Sequence, residues 1–197
     1  MSLRGLSVAL ALGGLVLVAP QARAEFIITL QQVGSDVVAT GSGTINLIGL
    51  SNPASQSDGG FIYPSNGILG VGPSNASSVE AYLGISGPSS FGNGSAAIAS
   101  SGTGTEVSIA GFVDGLAVSS SYTSGTAITD SATWDSETLA GLGITPGTYT
   151  WTWGSEANAD SLAVTTNAAT PEPASFVLFA SALVAAGFLG RRRRIQA

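Results

Sequence analysis

The stretch Tyr149-Thr150-Trp151-Thr152-Trp153 alternates aromatic rings with threonines, residue by residue. A period of two belongs to an extended strand, with the rings on one face and the hydroxyls on the other. Immediately before it, Thr145-Pro146-Gly147-Thr148 carries Pro and Gly in the positions of a type II turn. Beyond it, residues 161–165 form a further β-type run.

The same vocabulary recurs toward the N-terminus. Phe26, Ile28 and Leu30 alternate with Ile27, Thr29 and Gln31, and Gly34-Ser35-Asp36 offers a turn into a second strand over 37–47. Gly41 and Gly43 suggest a bulge there. Residues 51–78 read as turn-forming clusters around the short apolar pieces 61–63 and 68–71. Val79, Ala81, Leu83 and Ile85 alternate with polar or small residues, which predicts a half-buried strand. Asp114-Gly115 predicts a two-residue hairpin between strands over 107–113 and 116–120. Residues 127–134 form another strand, and 136–142 one helical turn capped by Ser136. No helix of globular length is predicted between residues 25 and 168. The expected fold is all-β: an antiparallel β-sandwich, jelly-roll-like, of about eight to ten strands.

Charge narrows the function classes. All six basic residues are arginines, at positions 4, 23 and 191–194. Between Glu25 and Thr170 there are eleven carboxylates and no Lys, Arg, His or Cys. Thiol nucleophiles, a Ser-His-Asp triad, a Schiff-base lysine and the usual zinc ligands are therefore missing from this stretch. With no side chain to neutralise phosphates, a nucleic-acid partner is excluded. A non-enzymatic body without a cofactor is the expectation.

Several constellations invite a site. Tyr149, Trp151 and Trp153, with Trp134 upstream, suit either a carbohydrate-stacking platform or the core of a domain with few other large side chains. Thr148, Thr150 and Thr152 supply a single hydroxyl run, the ordinary solvent face of one strand. An ice-binding surface would need such runs on several strands. Asp130, Asp135 and Glu137, or Glu156 and Asp160, lie close in sequence, but no spacing marks a glycosidase pair. Asp58, Asp130, Asp135, Glu156, Asn158 and Asp160 offer oxygen ligands for calcium without an EF-hand or other recognised loop. No metal site is assigned from them. The carboxylates otherwise read as solubilising charge.

The two ends are addresses. Residues 1–24 have a positive n-region at Arg4, an apolar run over 6–19 and Ala22-Arg23-Ala24 at the cleavage position. This is the secretory signal pattern, with signal peptidase cutting after Ala24 following export through the Sec translocon. At the other end, Pro171-Glu172-Pro173 precedes an uncharged apolar run over 174–190, and Arg191, Arg192, Arg193 and Arg194 follow at once. The run approaches the length of a transmembrane helix, and the arginines predict a cytoplasmic C-terminus.

This tripartite tail resembles the PEP-CTERM sorting signal of Gram-negative bacteria. The resemblance implies recognition by an exosortase and cleavage near the Pro-Glu-Pro motif. It further implies passage of an inner-membrane-anchored precursor to the periplasm, cell surface or extracellular matrix, where such proteins are associated with exopolysaccharide and biofilm. The chain thus divides into a signal peptide at 1–24, a β-sandwich ectodomain at 25–168 and a sorting signal at 169–197. The expected role is structural or adhesive. A carbohydrate-binding module using Tyr149, Trp151 and Trp153, or a tail-anchored inner-membrane protein, is the alternative.

Overall fold

The computed structural model describes residues 25–166. The expected signal helix (1–24) and transmembrane helix (174–190), with the cleavage and sorting residues that flank them, lie outside the described residues. Among the described residues no helix is long and apolar enough to cross a membrane.

The body is all-β, built as two open sheets on one core. The strands are β1 (Glu25–Val33), β2 (Asp36–Thr44), β3 (Ser51–Asp58), β4 (Phe61–Tyr63), β5 (Ile68–Val71), β6 (Ser77–Leu83), β7 (Ala97–Ile98), β8 (Ser101–Gly104), β9 (Val107–Ala110), β10 (Gly115–Ser119), β11 (Ala127–Trp134), β12 (Gly147–Trp153) and β13 (Asp160–Thr166). One sheet has the order β12-β13-β1-β2-β11-β8, the other β3-β6-β10-β9-β5-β4-β7. Inward side chains of both sheets, among them Phe26, Ile28, Trp134 and Trp151 from the first and Leu69, Ile109 and Leu116 from the second, form a single buried cluster. Period-two alternation makes this possible, because each strand offers one apolar face to the partner sheet.

Five expectations are corrected. The sheets are not wholly antiparallel: β1 and β13 run parallel, with Glu25 beside Ser161 and Leu30 beside Thr166. A first and a last strand paired in parallel is not the arrangement of two antiparallel Greek keys that a jelly roll requires.

Gly41 and Gly43 make no bulge. The β1–β2 register is unbroken from Phe26↔Gly43 to Val33↔Asp36.

Residues 51–58, read as a turn cluster, form the exposed edge strand β3. An edge position tolerates Pro53.

The Asp114-Gly115 hairpin is longer than two residues. Ala110 pairs with Gly115, and a single 3-10 turn (Gly111–Val113) plus Asp114 at φ 54° closes the loop. Short polar Asp is among the few non-glycine residues that settle in this left-handed region.

The segment 136–142 is a series of turns, not a capped helix. Ser136 has φ 57°, and its N–H donates to Asp36 Oδ1 at 2.8 Å. Leu139 and Leu142 nevertheless bury as their spacing predicts.

Candidate functional site

The aromatic strand β12 turns its rings inward. Trp151 is fully buried and donates from Nε1 to the Pro88 carbonyl at 2.9 Å. Trp153 is 4% exposed and donates to the Asn46 carbonyl at 2.7 Å. Trp134, on β11, donates to Ala97 O at 3.2 Å. Tyr149 is half-buried, with its hydroxyl on Thr145 O at 2.9 Å and its ring centroid 5.9 Å from that of Phe91. Each indole thus has its one polar atom satisfied inside the fold, the arrangement of a core residue. A stacking platform needs open ring faces, so Tyr149, Trp151 and Trp153 do not form one.

The opposite face of the same sheet is where register adds something. Thr148 on β12 pairs with Thr165 on β13, Thr165 with Thr29 on β1, Thr29 with Thr40 on β2, Thr40 with Ser131 on β11, and Ser131 with Thr103 on β8. A hydroxyl residue therefore stands on each of the six strands in one continuous row. Thr103 Oγ1 and Ser131 Oγ are 3.0 Å apart, and Thr148 and Thr165 hydroxyls 3.5 Å. A parallel row runs Thr150, Ala163, Ile27, Ser42 and Thr129. The carboxylates on this face, Glu25 and Asp36, stand at strand ends. The array expected on one strand thus spans a sheet.

The outer face of the second sheet carries a groove of about 420 Å³. Its floor is another cross-strand row, Ala54, Ala81, Ala117, Ser108 and Gly70, small residues that leave a trough. The row continues through Phe61 to Ile98 on the edge strand β7, Leu83, Phe112 and Val113 form an exposed apolar rim, and Asn52, Gln56 and Asp58 supply polar groups.

The carboxylates separate into three environments. Asp135 and Glu156 are exposed at turns. Asp160 is buried but anchored, accepting from Asn46 N–H at 2.6 Å and Ser161 N–H at 2.7 Å. Burial raises its pKa, and these two amides oppose the rise. Glu106 and Asp130 are buried without such support: Glu106 Oε2 and both Asp130 oxygens lack a hydrogen-bond partner. Burial pushes Glu106 up to about 8, with the charge of Asp58 adding to it and the Ser108 hydroxyl opposing it. Burial pushes Asp130 up to about 7, against the effect of the Gly41 amide.

The residues weighed as calcium ligands are not gathered. Among the described residues no group of three or more His, Cys, Asp or Glu is placed to hold a metal ion. Sequence reasoning also missed Glu106. Asp130 carried a signal, because it is in phase with the buried Ile128, Ala132 and Trp134 of β11.

Comparison with known proteins assigns one part of the chain. Residues 169–194 match the PEP-CTERM protein-sorting motif, which contains Pro171-Glu172-Pro173 and the arginine cluster. The chain is an exosortase-directed, exported protein on that motif. No curated protein and no solved structure matches it.

Proposed function

We propose that this protein is a non-enzymatic component of the cell surface or extracellular matrix, delivered there by its sorting signal. Signal peptidase cuts after Ala24 following Sec export. Residues 174–190 then hold the precursor in the inner membrane, with Arg191, Arg192, Arg193 and Arg194 on the cytoplasmic side. An exosortase cuts near Pro171-Glu172-Pro173 and releases the β body. The observation that carries this reading is the sorting motif at 169–194, which follows β13 in sequence.

Contact with exopolysaccharide falls in this reading to the hydroxyl face of the first sheet rather than to the tryptophans. That face is neutral apart from its margins, in a body with no basic side chain. It therefore suits an uncharged, hydroxyl-rich polymer and repels an anionic one.

The mass of the mature protein tests the sorting reading, because it reports both cleavages at once. A species lacking residues 1–24 and the segment after the Pro-Glu-Pro motif supports it. A mature form that keeps residues 174–197 in the membrane fraction favours a tail-anchored protein instead. Co-sedimentation with neutral insoluble polysaccharide, compared between the natural protein and a Thr40→Lys/Thr150→Lys variant, tests the surface role. Equal retention of the two would remove the hydroxyl face from consideration.

A further inference from the structure

Around Gly70 the fold brings together oxygens from two separate segments, the turn after β3 and the start of β9. A Cβ placed on this residue would lie 2.7 Å from the Gly59 carbonyl oxygen, 2.7 Å from Ser108 Oγ and 3.0 Å from Glu106 Oε1. Two residues further on, a Cβ on Gly72 would collide with Glu106 Oε2. Two glycines on β5 and its exit thus clear a space that oxygens line. Glu106 and Ser108 are two residues apart and share a face, and Ser108 Oγ donates to Glu106 Oε1 at 3.3 Å.

The charges facing Glu106 are all negative. Asp58, at the end of β3, lines the groove on this side, and its Oδ1 accepts from Gly59 N–H at 2.9 Å. Asp130 approaches from β11 in the other sheet. No Lys, Arg or His exists between residues 25 and 166 to pair with any of them. Glu106 is 1% exposed and its Oε2 has no hydrogen-bond partner. A buried, unpaired carboxylate anion is among the more costly features a fold can carry; it is relieved either by keeping its proton or by a cation from outside the chain, since the described body supplies none.

We propose that Glu106 and Asp58, with the Gly59 carbonyl and the Ser108 hydroxyl, bind a hard divalent cation of the calcium type at the end of the groove. The donor set is entirely oxygen, mixing carboxylate, carbonyl and hydroxyl, as calcium accepts; water from the open groove side completes the shell. Chains without His or Cys offer nothing for softer metals. With only two carboxylates, the site differs from the multi-carboxylate clusters that spacing along the chain suggests.

The test uses the full-length protein in mild detergent at pH 7.5 and constant ionic strength, with calcium chloride or chelator. Calcium at about a hundredfold above its dissociation constant is expected to raise the melting temperature by about 5–10 °C. Glu106→Gln, which keeps the shape and removes the charge, is expected to melt above the natural protein in chelator and to lose the calcium response. Asp58→Asn, which keeps an acceptor for the Gly59 N–H, should weaken calcium binding at least about tenfold by titration calorimetry, while Asp114→Asn leaves it unchanged. A natural protein whose melting ignores calcium overturns the proposal and leaves Glu106 as a group that simply holds its proton. An equal calcium response in all three variants also overturns it, since that is diffuse screening of an acidic body.

Discussion

Gly41 on β2 stands directly opposite Asp130 on β11, and the Asp130 carboxylate occupies the space that a side chain at position 41 would need. Phe26 closes the same space from the other side, 2.7 Å from where a Cβ would be. The glycine is thus required by close approach, not by backbone conformation. Gly41→Ala is expected to destabilise the body by about 2–4 kcal/mol, the range of an overpacked core position. Pairing it with Asp130→Ala should recover part of the loss, because the clashing group is gone. Denaturant midpoints of the single and double variants check this.

Stability should fall as pH rises. Glu106 and Asp130 hold their protons to about 8 and about 7 in the fold, against an ordinary carboxylate in the unfolded chain. The folded state therefore binds more protons across the window from about pH 4 to 8. Each group lowers stability there by up to about 1.4 kcal/mol per pH unit. Below that window both states are protonated and the dependence vanishes. In chelator, Asp130→Asn should remove its own share of the slope, which ends near pH 7, and Glu106→Gln the share that continues to about pH 8; only the double variant flattens the profile. A profile of melting temperature rising from pH 5 to 8 would contradict these assignments.

The tryptophans should behave as core. Trp134, Trp151 and Trp153 are each under 5% exposed. Their emission is expected to be blue-shifted, resistant to acrylamide and unchanged by polysaccharide. Trp151→Ala should cost about 3–5 kcal/mol. Trp151→Phe should cost less, leaving a smaller cavity and the Pro88 carbonyl without its donor.

Asp160 ties the end of the first sheet to the loop after β2. Its carboxylate accepts the Asn46 and Ser161 amides, while the Asn46 carbonyl accepts Trp153 Nε1. Asp160→Ala leaves two amides unpaired and is expected to cost about 2–4 kcal/mol. Asp160→Asn keeps an acceptor for one amide and should cost less. Hydrogen exchange at Asn46 and Trp153 Nε1 should quicken in both variants, more in the alanine.

Much was legible in the residues alone. The alternation in 149–153 and 127–134 reports strands and the buried face of each, because period two is local and needs no partner. The charge distribution and the Pro-Glu-Pro tail are linear signals, and they identify an exported, sorted chain without any fold. Burial of Asp130 was also readable, since one carboxylate falls in phase with Ile128, Ala132 and Trp134.

Other features depended on which strands became neighbours. The edge strand β3 buries almost nothing, so selection of apolar residues leaves no period to read there. The six-strand hydroxyl row and the oxygen-lined space at Gly70 each join residues distant in sequence, Thr29 with Thr165 in the one and Gly59 with Ser108 in the other, through register that hydrogen bonding and core packing set together. Thr29 and Thr40 meet through a short turn, but Thr29 and Thr165 meet only when the last strand docks in parallel on the first. Sequence therefore determined the address, the strand faces and the lack of any internal counter-charge. Tertiary structure decided that Glu106 went inside and what surfaces remained, because those outcomes belong to pairs of strands and not to any one of them.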